Sequence, residues 1–151
     1  MIKEIFENKL DFALLLTESD PNIHLVEDYL NKGRLFVYLK NDEPVSFIVV
    51  QQISNDTVEI KNLLTLDNYR GYGYAKKLIQ HIEKIYQNNF TIIVGTANSS
   101  MSNIAFYTKL GYRYSHRIEN FFIDYYADEI YENGIQATDL LYFVKSNKGL
   151  N

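Results

Sequence analysis

A mixed α/β domain built on one central sheet is the fold class this sequence predicts, and three observations predict it. Residues 35–66 hold three apolar runs separated by Asn41-Asp42 and Asn55-Asp56, the pattern of an antiparallel N-terminal meander joined by tight turns. Residues 73–86 then switch to helical spacing, with Ala75, Leu78, Ile79, Ile82 and Ile85 on one face. A continuous apolar run at 91–94 follows, as expected of a strand covered on both faces. Strand, helix and strand in that order make a parallel pair with a crossover helix.

The remaining elements follow the same cues. Residues 1–9 read as a first strand and 10–17 as a short helix. Ser19-Asp20-Pro21 is a helix-start signal, and the helix it opens runs to Asn31-Lys32 and stops at Gly33. Strands are expected at 35–40, 44–53, 58–66 and 91–96, and a further helix at 99–110, closed by Gly111. Residues 112–117, 120–125 and 140–144 supply more strand material. No repeat or linker interrupts the 151 residues, which fit a single domain spanning 1–151.

Composition removes several function classes. A net charge of −4 argues against a general nucleic-acid binder. The absence of cysteine excludes disulfides, thiolate metal sites and a cysteine acyl-enzyme, and it suits a reducing cytoplasm. The longest apolar stretches, near 12–16 and 47–50, fall far short of the roughly 20 residues that span a bilayer. His24, His81 and His116 have no metal-ligand spacing, so no metal is expected. The expectation is a soluble cytoplasmic protein with neither a membrane nor a nucleic acid as partner.

The chemistry concentrates in Arg70-Gly71-Tyr72-Gly73-Tyr74-Ala75-Lys76-Lys77, where a strand ends and a helix begins. A helix N-terminus presents unpaired N–H groups and partial positive charge, which suits an anion. Gly71 and Gly73 allow unusual backbone angles and close approach, and Ala75 is small. First helical turns favour acidic residues, yet none is here, and Arg70, Lys76 and Lys77 surround the turn. A diphosphate would satisfy both the charges and the amides; a solvated loop with chance lysines is the plainer alternative. The third glycine of a dinucleotide fingerprint is replaced by Lys76, and no Walker sequence is present.

Arg70, Gly73 and Ala75 fit Gln/Arg-x-x-Gly-x-Gly/Ala, and the segment resembles motif A of the GNAT N-acetyltransferase superfamily. Downstream, Phe106-Tyr107-Thr108-Lys109-Leu110-Gly111-Tyr112 looks like the family's motif B. The aromatic tail from Phe121 to Tyr126, with Glu132-Asn133-Gly134-Ile135 beyond it, is similar to a little-characterised bacterial branch. The resemblance implies a central parallel pair that splays apart, with the pantetheine of acetyl-CoA in the gap. It places pantetheine contacts on the backbone of Leu64, Thr65 and Leu66, and diphosphate contacts on the N–H groups of Gly71, Tyr72, Gly73, Tyr74, Ala75 and Lys76.

Acetyl transfer to an amine needs a neutral amine and a proton for the departing thiolate. Tyr107 is the candidate acid, since a phenol titrating near 10 can share its proton with a thiol near 8.5; the resemblance gives this motif B tyrosine that role, and a core aromatic is the plainer alternative. Glu59, on the strand leading to the turn, is the candidate base, because the resemblance implies a catalytic Glu at this position in several members of the superfamily; regular pleating puts Val58, Ile60, Leu64 and Leu66 on one face and Glu59 with Lys61 on the other. A surface Glu–Lys pair is the alternative. Asn98-Ser99-Ser100 should cap the next helix. Relatives carry a cofactor-contacting Asn where this chain has Ser100, so Ser100, or Asn98 in its place, is the candidate contact.

Substrate-side candidates are Tyr29, Tyr38, Gln51, Gln52, Asp124 and Tyr125, and the acidic run Asp124, Asp128, Glu129 and Glu132 would steer a cation. The expected acceptor is a small-molecule primary amine, with a protein or peptide amine second. A non-catalytic acyl-CoA sensor or a general anion-binding module are the rival readings. The aromatic C-terminal region suits either core or a homodimer interface.

Overall fold

A computed structural model describes residues 1–146. Strand β1 (Ile2–Ile5) leads through a 3-10 turn (Lys9–Phe12) into α1 (Ala13–Leu16) and α2 (Ile23–Lys32). The meander is β2 (Arg34–Lys40), β3 (Glu43–Gln52) and β4 (Thr57–Thr65). Helix α3 (Tyr74–Ile85), β5 (Thr91–Ala97), α4 (Met101–Lys109) and β6 (Arg113–Ile118) follow. The chain then forms α5 (Phe121–Tyr125), a hairpin of β7 (Tyr131–Glu132) and β8 (Ile135–Gln136), and β9 (Leu140–Ser146).

Seven strands make one sheet in the order β1-β2-β3-β4-β5-β9-β6. Among these pairs, β4–β5 alone is parallel. Each face of the sheet buries its own core. Leu78, Ile79 and Ile82 of α3 and Tyr107 of α4 pack on Val58, Ile60, Ile92 and Val94. On the other face Leu16 of α1 and Val26 and Leu30 of α2 pack on Phe47, Val49 and Leu64. Each fully buried Leu or Ile stabilises the fold by about 1.5–3 kcal/mol.

Two irregularities in β4 shape the functional end. Val49 pairs with Asn62 while Val50 pairs with Ile60, so Lys61 is an extra residue, a β-bulge. The bulge overturns the expectation of regular pleating. Val58 and Ile60 face the α3 core, whereas Leu64 and Leu66 face the α1–α2 core. Pairing of β4 with β5 runs from Thr57↔Thr91 to Ile60↔Val94 and stops there. Beyond that point β4 stays with β3 as far as Thr65↔Ser46, and β5 stays with β9 as far as Ala97↔Leu140. Each strand follows its antiparallel neighbour, and the central pair parts.

The structure corrects the sequence reading in three further places. Residues 120–125, expected as strand, begin α5, with Asn120 at φ 58° before it. That helix opens a long excursion between β6 and β9, and β9 returns between β5 and β6. The hairpin inside the excursion turns at Asn133 and Gly134, at φ 55° and 73°, an Asn-Gly hairpin signal present in the sequence. Helix α2 is capped by Asn22, whose Oδ1 accepts the Leu25 N–H at 3.2 Å, so the helix starts after Pro21. Asp20 stands just before the cap, where its Oδ1 accepts the Asn22 N–H at 3.2 Å.

Candidate active site

The turn between β4 and α3 is built from backbone. Gly71 and Gly73 sit at φ 83° and 81°, where an L side chain is strained. A Cβ at either position would meet nothing within 4 Å, so conformation rather than crowding demands glycine there. Gly73 caps α3 without a side-chain bond, and the first turn contains no acid. Helix geometry leaves the N–H groups of Tyr74, Ala75 and Lys76 without intrahelical partners; the first helical bond is Lys77 N–H to Gly73 O at 3.0 Å.

The three cations divide. Arg70 folds back, its Nε donating to Thr65 O at 3.1 Å and its guanidinium pairing with Asp67 at 3.1 Å. Lys77 lies over the Tyr38 and Tyr74 rings, 5.5 and 5.9 Å from their centroids. Lys76 is exposed, and among the described residues no ion pair involves it. Tyr72 stacks on Tyr74 beside the turn, centroids 6.0 Å apart.

The gap between β4 and β5 opens beside this turn. Leu66 N–H donates to Val45 O at 2.9 Å, so Leu66 and Leu64 direct their backbone toward β3. Alternation then turns the backbone of Leu63 and Thr65 toward the gap. Of the three positions expected there, Thr65 faces the opening, and Leu63 joins it.

Tyr107 is 4% exposed and belongs to the cluster containing Ile60 and Val94, the last residues paired before the strands part. Its ring meets Phe106 and Tyr112 edge-on, at 5.1 and 5.7 Å. Burial pushes its phenol well above the ordinary tyrosine value. Glu59 is buried on the sheet face opposite Val58 and pairs with Lys61 across 3.1 Å. Tyr142 lies against it; burial first, and then the Glu59 carboxylate, push that phenol up to about 12.

Asn98 and Ser100 are occupied by the excursion. Asn98 Oδ1 accepts the N–H groups of Thr138 and Asp139 at 2.8 and 3.1 Å, and Nδ2 donates to Gln136 O at 3.2 Å. Ser100 Oγ donates to Glu132 at 2.7 Å. Both side chains tie the C-terminal end of β5 to the segment around the β7–β8 hairpin.

One group of residues escaped the sequence reading as a group. Asp20 accepts the Tyr126 hydroxyl at 2.8 Å and the Tyr29 hydroxyl at 3.1 Å. Tyr29 in turn accepts Asn62 Nδ2 at 2.9 Å, and the same nitrogen donates to Leu16 O at 3.1 Å. Four separate segments thus meet behind the gap. Burial first, then the Asp20 charge, push the phenols of Tyr29 and Tyr126 well above their ordinary value. Beside this cluster lies an open cleft of about 340 Å³, lined by Pro21, Ile23, His24, Tyr125, Tyr126 and Asp128 among others. Helix starts and tyrosines are visible in sequence, but no spacing joins residues 20, 29, 62 and 126.

A parted parallel pair, a bare helix N-terminus at its mouth and a buried tyrosine at its root define an acyltransferase fold, and the comparisons agree. The chain belongs to the acetyltransferase (GNAT) family, whose model matches residues 3–112. It is similar to an uncharacterized N-acetyltransferase, YvbK, of Bacillus subtilis (strain 168), with 33% identity over 129 residues, covering 84% of this chain and 83% of that one. A GNAT family acetyltransferase from Elizabethkingia anophelis, solved with acetyl-CoA bound, superposes with TM-score 0.88 at 28% identity, covering 97% of each chain. A Bacillus subtilis acetyltransferase in complex with CoA superposes with TM-score 0.85 at 30% identity, covering 96% of this chain and 97% of that one. Among the described residues no helix is long and apolar enough to cross a membrane, and no cluster of His, Cys, Asp and Glu is arranged to hold a metal ion.

Proposed function

We propose that this chain is a single-domain cytoplasmic enzyme that moves the acetyl group of acetyl-CoA directly to a small-molecule primary amine. The observation that carries the reading is the parting of β4 from β5 after Ile60 and Val94, at the end of the sheet where α3 begins. Two similar chains carry acetyl-CoA or CoA in their structures. The residues present fit that molecule. Unpaired N–H groups of α3 suit the diphosphate, with Lys76 near it, and the N–H groups of Leu63 and Thr65 suit a carbonyl of pantetheine, while their own carbonyls accept Ser19 Oγ and Arg70 Nε, each at 3.1 Å.

In this reading Glu59, alone or through water, takes a proton from the acceptor nitrogen. That nitrogen forms its bond to the acetyl carbon as the carbon–sulfur bond breaks, and Tyr107 gives a proton to the departing sulfur. The raised phenol stays protonated at neutral pH, as a donor must. The chain has no cysteine, which suits direct transfer. An open cleft of about 340 Å³ lined by Tyr126 lies beside Asp20 and offers a small amine a way in.

Titration calorimetry with CoA, ATP and inorganic diphosphate tests the first half: CoA binds at least tenfold more tightly than the others. A panel of primary amines incubated with acetyl-CoA, read by free-thiol release, tests the second. Thiol release with no small amine in the panel would overturn the small-molecule assignment.

A further inference from the structure

The N-terminal helices are tied to β4 at Asn62, whose amide is only half used. The residue stands directly after the Lys61 bulge, where β4 has left β5, and it is 5% exposed. Its Nδ2 donates to Leu16 O and to the Tyr29 hydroxyl. Leu16 O is a carbonyl and can only accept, so the amide cannot be flipped. The two bonds pull the nitrogen edge toward α1 and α2 and turn the carbonyl edge away from them. Oδ1 is buried and has no partner. An unpaired buried acceptor is costly, and an N–H donor brought to it would relieve that cost.

The charge lies one hydroxyl away. Asp20 accepts from Tyr29 and Tyr126 and holds both oxygens in fixed positions. Asn22 Nδ2 donates to Tyr125 O at 3.2 Å, which fastens the same two segments a second time. No cation pairs with Asp20 among the described residues. The carboxylate is half-buried and bonded to two phenols and the Asn22 N–H, all neutral donors, so its charge remains uncompensated and attracts a cation.

Resting on the acetyltransferase reading above, we propose that Asn62 Oδ1 receives an N–H of the acceptor amine, and that Asp20, held by Tyr29 and Tyr126, draws the ammonium form to it. Asn62 is a specificity-determining residue here. It prefers a nitrogen that carries hydrogens over a charged nitrogen that carries none.

The test uses the full chain saturated with CoA and two probes, n-butylammonium and n-butyltrimethylammonium, which share charge and chain but not N–H groups. Calorimetry on the wild type is expected to show butylammonium at least fivefold tighter. In Asn62→Ala the ratio collapses because butylammonium weakens about tenfold, not because the trimethyl probe tightens. In Asp20→Asn, a close isostere, both probes weaken about threefold and the ratio persists. Asn62→Leu, a near-isostere without the carbonyl, replaces Asn62→Ala if that variant fails to fold, and it too lowers the ratio. Equal binding of the probes by wild type, no measurable binding of butylammonium, or a ratio that survives loss of Asn62, overturns the proposal. CoA is titrated first on the same samples. Failure of CoA to bind overturns the acetyltransferase reading itself, whereas normal CoA binding without discrimination between the probes overturns only the role of Asn62.

Discussion

The two ends of the proposed site are made of different material. The cofactor end is a run of consecutive residues from Arg70 to Lys77, and what it offers is backbone: glycines at positive φ and a helix start without acids. The acceptor end is made of side chains from four segments, Asp20, Tyr29, Asn62 and Tyr126, joined by hydrogen bonds of 2.8–3.1 Å. Backbone amides suit a ligand whose form never varies. A cluster of side chains from distant segments can be re-cut by single substitutions, which is why the proposal places acceptor specificity there. Tyr107 stands between the ends, and its loss separates chemistry from binding most sharply. Tyr107→Phe is expected to lower kcat about 100-fold, within the usual range for a lost acid. CoA affinity, read by calorimetry, stays within twofold. Unchanged turnover would leave Tyr107 a core aromatic.

The cofactor end is the next to break. Valine at position 73 must hold a φ of 81°, and it places a branched side chain over the amides. The conformation alone costs about 1–2 kcal/mol. Gly73→Val should weaken CoA about 10- to 30-fold by calorimetry while amine discrimination at saturating CoA is kept. Weakening of both ligands together would erase the distinction between the ends.

That distinction also explains what could be read from sequence. The meander, α3 and the Arg70–Lys77 turn are local, so period, glycine placement and missing acids betray them. The family resemblance added the parting of the strands, and it nominated Tyr107 and Glu59 as the candidate acid and base. The bulge at Lys61 left no trace, because Val58, Ile60, Leu64 and Leu66 alternate as though the strand were regular. The bonds of Asn98 and Ser100 to Gln136, Thr138, Asp139 and Glu132 could not be read, since those partners lie more than 30 residues away. Asp20 read as part of a helix start, although Asn22 does the capping. The Asn133-Gly134 hairpin was legible in principle, but the aromatic run before it looked like strand, and tertiary packing made it α5.

Glu59 sharpens the comparison from the acceptor side. Its carboxylate is paired with Lys61, the bulged residue, so the proposed base and the opening of the gap share one irregularity. Glu59→Gln keeps the shape and cannot take up a proton. The expected result is a kcat about tenfold lower, an altered pH–rate profile and unchanged CoA affinity. A profile that superposes on wild type would return Glu59 and Lys61 to a structural ion pair.

The smallest effect comes from a place that belongs to neither end, which makes it the control. Arg34 on β2 donates to both oxygens of Glu4 on β1, at 2.9 and 2.8 Å, and to the Tyr86 hydroxyl at 3.2 Å. The Arg34 bonds hold the Glu4 carboxyl below its ordinary value, and they outweigh burial, which acts the other way. A carboxyl with a depressed folded value stabilises the fold above its unfolded value, about 4.3, and loses that contribution as pH falls through the folded one. Arg34 is 41% exposed, so water screens the pair and its worth is about 1 kcal/mol or less. Urea unfolding of Glu4→Gln at pH 7 should therefore show a loss of about that size, shrinking toward zero once the wild-type carboxyl is protonated. CoA affinity and amine discrimination should both match wild type. If this distant substitution moved either ligand, the changes at Gly73 and Asn62 would report on general stability, because a site built locally at two ends cannot feel an ion pair at the outer edge of the sheet.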